Sequence, residues 1–173
     1  MNVILEILKY ILPSLVVFAT TFYLVKKYFD GEEKKRQHQL FVNNQNMITP
    51  LRLQAYERLI LFLERISPES LIMRINKPGF TCQQLQAELM NAIRSEFEHN
   101  LSQQIYVSAG AWEMLKNARG RTIQLINMMA DKLQKDSPSI NLSKAILETL
   151  VEEEKTPTSD AISYIKKETE RLF

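Results

Sequence analysis

Residues 96–106 read EFEHNLSQQIY, where Glu96, Glu98, His99, Asn100, Ser102, Gln103 and Gln104 crowd around four apolar side chains. Glu96 and His99 form Glu-x-x-His, the pair that carboxylate-bridged di-iron bundles project from one helix. Such a site takes two of these pairs and further inward glutamates. The other histidine, His38, has no glutamate three residues before it, so a metal ion is not expected. As a general base, His99 needs a nucleophile nearby, and no serine or cysteine stands in a strained-turn motif. Only four glycines occur, and none builds a phosphate-cradling loop. Cys82 opens a helix, a position that can make a thiol reactive, but a small first-turn side chain is the ordinary reading. Trp112, Met114, Met128 and Met129 suit core packing better than a ligand groove. No residue is assigned a catalytic, metal-binding or cofactor-binding role, and no cofactor is expected.

The helix that must carry this polar group starts clearly. Thr81 and Gln84 have capping-box spacing, and Phe80 and Leu85 have hydrophobic-staple spacing, which predicts a helix from Cys82 to about Tyr106. At 100° per residue, Glu96, Asn100 and Gln103 share a face, with His99 at its edge. Leu85, Leu89, Ile93, Phe97, Leu101 and Ile105 recur every four residues, so their stripe rotates by about 40° per step. That ridge packs into a neighbouring helix at a steep angle. Glu96, His99, Asn100, Gln103 and Gln104 then occupy surface that the stripe has left. They form a candidate interaction surface, a seam between helices, or a solvated face.

The rest of the chain also reads as helix. Thr49 and Pro50 have the types of an N-cap and first helical residue. They introduce a helix over 49–66 with Tyr56, Leu59, Ile60, Leu63 and Ile66 at helical spacing. Leu61 and Phe62 widen that face, which implies burial on more than one side. The pairs Glu57-Arg58 and Glu64-Arg65 read as its solvated edge. Ser67-Pro68 restarts a short helix, and the Pro-Gly step in NKPGF makes a turn. Ser108 caps a helix over about 109–134. Two amphipathic helices follow, 142–154 and 157–173, the second capped by Thr156. No stretch alternates with period two for long enough to build a sheet.

The N-terminal part is different. ILKYILPSLVVFATTFYLV (7–25) carries no charge from Tyr10 to Val25, and the apolar run reaches back to Val3 past Glu6 and Lys9. About 20 residues suffice to cross a bilayer core, provided Lys9 snorkels to the headgroups. Pro13 falls near the helix start, where a missing amide hydrogen costs least. Tyr10, Tyr23 and Tyr28 suit the two interfaces. A cleaved signal peptide would want basic residues before the apolar core. Here Glu6 precedes it and Lys26, Lys27, Lys34, Lys35 and Arg36 follow, which predicts an uncleaved anchor with its C-terminal side in the cytoplasm. Residues 29–48 read as a charged, then polar tether, partly helical at most.

Composition narrows the partners. Residues 1–49 carry six Lys/Arg against four Asp/Glu, and residues 50–173 carry sixteen of each. A neutral domain lacks the basic patch that neutralises phosphates, so nucleic acid is not an expected partner. A single cysteine allows no internal disulfide. Residues 50–135 hold eleven Lys/Arg against eight Asp/Glu, and 136–173 hold five against eight. That division weakly favours docking of the C-terminal helices on the rest.

The strings LRLQAYERLILFLERISPESLIMRI, EFEHNLSQQIYVS with the following AW, and the closing A…IKKE…LF resemble a family of membrane-anchored proteins of Bacteroidota, a domain of unknown function. The resemblance covers nearly the whole chain. It implies an inner-membrane protein with a helical cytoplasmic domain and supplies no activity.

The expected protein is all-α. Residues 1–28 form a transmembrane anchor with its flanks, 29–48 a tether, and 49–173 a cytoplasmic bundle of about five helices. The expected function is that of a scaffold or adaptor in the bacterial inner membrane, whose partners are the lipid bilayer and a protein or a second copy. The rival is a membrane-bound enzyme or small-ligand sensor using the polar residues around His99.

Overall fold

The computed structural model describes the backbone of residues 2–172 and the side chains of residues 15–29, 31–32, 35–36, 39 and 48–172. The described elements are all helical: α1 (Asn2–Arg65), α2 (Pro68–Ile75), α3 (Cys82–Asn100), a 3₁₀ segment (Leu101–Ile105), α4 (Ala109–Asp131), α5 (Ser139–Glu153) and α6 (Ser159–Leu172). The chain divides into two compact units, Met1–Thr49 and Pro50–Phe173.

In the first unit the backbone is helical through residues 29–48, where a tether only partly helical was expected. The sequence explains the difference. No proline interrupts 14–49, straight-chain Lys, Glu and Gln are abundant, and Glu32 and Arg36 have favourable i,i+4 spacing. Thr49 and Pro50 accordingly start no new helix, and Pro50 only deprives the ladder of one N–H. Among the described residues no helix is long and apolar enough to cross a membrane. Residues 3–14 of the expected anchor lie outside the described side chains, as does Pro13.

The second unit is built on the end of α1. Ala55, Tyr56, Leu59, Phe62, Leu63 and Ile66 are each at most 1% exposed, a helical stripe wide enough to serve several neighbours. Leu71 and Ile72 of α2, Leu85, Leu89 and Ile93 of α3, Leu115 and Ile126 of α4, Ile146 of α5 and Ile165 of α6 join it in one buried cluster. The centre of the packing is α3, which touches α2, α4 and α5, while α4 also touches α5 and α6. Leu61, expected to widen the buried face, is instead 61% exposed, although its neighbour Phe62 is fully covered. At 100° per residue the buried stripe spans about 120° of the helix, and Leu61 falls on the side opposite it.

The expected caps of α2, α3 and α4 are present. Ser67 accepts from the Ser70 N–H, and Ser108 from the Ala111 N–H. Thr81 accepts from the Gln84 N–H while the Gln84 side chain accepts from the Thr81 N–H. The next amides of α3 are met from across the fold: Cys82 N–H donates to the Ser137 carbonyl (2.8 Å) and Gln83 N–H to that of Lys135 (3.1 Å). In return Ser139 N–H donates to the Phe80 carbonyl at 2.9 Å. Asn76 seals this clasp, its amide donating to Ser143 Oγ and accepting from Ser139 Oγ. Gly79, at φ +88°, supplies the left-handed turn that lets residues 76–81 reach the clasp. α5 therefore begins at Ser139, three residues ahead of the expected start. α6 begins at Ser159 rather than 157, because Thr156 and Pro157 form a turn closed by the Ser159 N–H to Thr156 carbonyl bond.

Two polar contacts fasten α6. The buried Tyr56 hydroxyl donates to Glu168 Oε1 at 2.8 Å and accepts from the Ser108 N–H at 3.1 Å, tying α1, α6 and the start of α4. Glu168 Oε2 is buried and meets no described partner, so this one bond carries much of the carboxylate's solvation. At the other end of α6, Asp160 pairs with Arg121 of α4 (3.2 Å) and with Lys155 (3.6 Å). The Arg121 hydrogen bond, followed by the charge of Lys155, holds the Asp160 carboxyl below its ordinary pKa.

Two outcomes test these contacts. Tyr56→Phe leaves the Ser108 N–H and Glu168 without a partner and lowers unfolding free energy by about 2 kcal/mol in urea titrations. A loss below about 0.5 kcal/mol would show that the hydroxyl is not a tie. Asp160 contributes stability above its unfolded-state pKa and loses it as the pH falls through the lower folded value. Asp160→Asn should therefore flatten the acid side of a melting-temperature profile, while leaving its shape above pH 6 unchanged. An unchanged acid limb would refute the assignment.

Candidate functional site

The polar residues around His99 do not come together. α3 ends at Asn100, where the expected helix continued to Tyr106, and the 3₁₀ turn that follows advances about 120° per residue. The face predicted for Glu96, Asn100 and Gln103 is thus broken at its middle member. Asn100 turns inward, is 8% exposed, and returns its side-chain amide to the Glu96 carbonyl at 2.8 Å. His99 and Gln104 are exposed, and Gln103 bonds only the neighbouring Ser102 hydroxyl at 3.4 Å. Among the described residues His99 has no hydrogen-bond or ion-pair partner, and no group of three metal-capable side chains occurs. The apolar stripe ends early too: Leu85, Leu89 and Ile93 are buried, but Leu101 is 40% and Ile105 76% exposed.

Glu96 reaches towards the ends of α1 and α2. Its Oε1 receives Arg65 through Nε (2.8 Å) and Nη2 (2.7 Å), and Arg74 at 3.5 Å. Arg74 also donates to the Arg65 carbonyl at 3.3 Å. One carboxylate therefore closes the ends of three helices. Beside it, Phe97 lies between Phe62 and Trp112, with ring centroids 6.2 and 5.7 Å away. The Arg119 guanidinium covers Phe97 at 4.0 Å. Sequence spacing gives no sign of this stack, because its members come from three helices. Trp112 and Met114 pack on the core, Met129 is buried, and Met128 is 45% exposed. Cys82 is buried with its Sγ 3.1 Å from Ser137 Oγ, a structural position.

Of the basic residues after the apolar run, Lys26, Lys27, Lys35 and Arg36 are exposed, while the side chains of Lys34 and His38 lie outside the described residues.

The better-formed concavity lies elsewhere. α1 and α6 enclose an open groove of about 700 Å³, floored by Leu53, Tyr56, Ile60 and Leu61 and flanked by Glu57, Lys166, Thr169 and Glu170. Leu61 also borders a second hollow of about 600 Å³ between α1 and α2, which includes Met73. Leu53 is 43%, Leu61 61% and Met73 88% exposed, so the apolar strip has no cover from described residues. Its lining offers contact area and rim charges suited to binding. The available signal in the sequence was the i,i+8 spacing of Leu53 and Leu61, masked at Leu61 by Ile60 and Phe62 on either side.

A pair of substitutions separates the two roles within EFEHN. Glu96→Gln should lower stability by about 1 kcal/mol, less at high salt, since the pair is partly exposed. His99→Ala should leave stability within about 0.5 kcal/mol. Chemical denaturation at two salt concentrations checks both, and equal losses would contradict this geometry.

No curated protein and no solved structure matches the chain. The model of a family of unknown function, DUF7935, matches residues 2–172, nearly the full length. The chain belongs to that family.

Proposed function

We propose that this protein is a single-pass protein of the bacterial inner membrane. In this reading its helical unit, Pro50–Phe173, acts on the cytoplasmic side as a scaffold or adaptor for a protein partner. The observation that carries the anchor is the exposure of an apolar run on every side of one helix. Leu15, Val16, Val17 and Phe18 are 55–70% exposed, and Phe22, Tyr23, Leu24 and Val25 are 47–64% exposed. Four consecutive helical residues point in four directions, so one neighbouring protein helix cannot cover them, whereas hydrocarbon surrounds all of them at once. Thr20 fits this solvent. Its hydroxyl donates to the carbonyls of Val16 (3.0 Å) and Val17 (2.9 Å), needing no water.

Lys26, Lys27, Lys34, Lys35 and Arg36 support the orientation through the positive-inside tendency. The resemblance to membrane-anchored Bacteroidota proteins agrees with it. The adaptor part is supported by the uncovered strip of Leu53, Leu61 and Met73, because contiguous exposed apolar surface marks interaction sites.

Alkaline carbonate extraction should leave the full chain in the membrane pellet, and deletion of residues 1–28 should move it to the supernatant. Release of the full chain would overturn the anchor. In a Cys82→Ser, Gln37→Cys variant, an impermeant maleimide should label position 37 only after spheroplasts are lysed. Crosslinking in cells should capture a partner above a control carrying residues 1–49 alone, and an equal yield would defeat the adaptor reading.

A further inference from the structure

From the charges around the uncovered strip, we infer that the partner presents a basic amphipathic helix, which lies along Leu53, Leu61 and Met73 with its cations towards the strip's carboxylates. This rests on the adaptor reading and specifies its partner.

Leu53 and Leu61 are two helical turns apart, about 12 Å, and Leu61 belongs to both the 700 Å³ groove and the 600 Å³ hollow. Anchors spaced in this way along an apolar groove match the i, i+4, i+7 side chains of one docked helix. The rim decides the sign. Glu57 and Glu170 flank the groove, and Glu64 and Glu69 flank the hollow. All four are exposed, and none forms an ion pair with a described residue. Against them stand Lys166, Arg65 and Arg74, of which both arginines are engaged by Glu96. Counted with Glu96, the rim carries five carboxylates against three cations, a net charge of −2. An acidic helix would add repulsion over most of this length, whereas Lys or Arg beside an apolar stripe would meet it favourably.

The probe is a fluorescein-labelled 18-residue designed helix with leucines at i, i+4, i+7 and i+11 and lysines flanking them. Its counterpart carries glutamates in place of the lysines. The full chain is held in phosphatidylcholine nanodiscs, whose zwitterionic surface does not attract the cations, and binding is read by fluorescence polarisation. The lysine helix should bind, more weakly as salt rises, and the glutamate helix at least about tenfold more weakly. Leu61→Asp should weaken the lysine helix about tenfold or more, with an unchanged circular dichroism melt confirming the fold. A Glu57→Lys, Glu170→Lys variant should reverse the preference between the two probes.

Equal binding of both probes, or binding indifferent to Leu61→Asp and to the charge reversal, overturns the inference. So does a dimer of the full chain that Leu61→Asp dissociates in sedimentation, since the strip would then be covered by a second copy. Captured partners in cells whose yield ignores these substitutions would sink the inference while sparing the adaptor reading. An absence of partners sinks both.

Discussion

The fully buried face of α1, from Ala55 to Ile66, is the constraint on which the second unit depends. Tyr56, Leu59, Phe62, Leu63 and Ile66 are too broad a stripe to be covered by one neighbour. Hydrophobic burial is not directional, so directional groups set the arrangement of helices around it. The Tyr56 hydroxyl selects Glu168 and the cap residue of α4, and Glu96 draws together the ends of α1, α2 and α3. Apolar area holds the unit together, and a few polar ties fix which helix lies where.

The same division explains why the group around His99 resembled a site. Glutamate, histidine and asparagine within five residues suggest chemistry only while they are imagined on one helical face. In the fold each is claimed by a different environment. Glu96 pairs with arginines, Asn100 turns back on its own helix as it ends, and His99 faces out. Acid–base work requires convergence, and here the chain turns at the point where convergence would have begun. The surface with an uncovered apolar strip lies where α1 meets α6 and α2, made of residues that look unremarkable in sequence.

Gly110 makes room for one side chain of α6: a Cβ at that position would run into the Tyr164 hydroxyl, the far end of an exposed side chain that would have to shift. The weak charge division between the two parts of the unit has a local counterpart in the Arg121–Asp160 pair. It is too exposed to hold α6 alone. Ile165 and Ala161, both buried, contribute the apolar part of that docking.

By itself the sequence determined the all-helical class, the starts of α2, α3 and α4, and the core faces of α1 and of the first part of α3. Caps, proline positions and 3.6-residue periodicity act between residues a few positions apart, so they can be read in order along the chain. It did not determine the end of α3, the early start of α5 or the late start of α6. Those depend on where Asn100 turns, on the clasp of residues 135–139 with the start of α3, and on the turn at Thr156. Only the tertiary structure decided that Glu96 serves two arginines and that the apolar strip is rimmed by carboxylates. Each depends on side chains from different helices meeting in space, and periodicity within one helix contains no record of its neighbours.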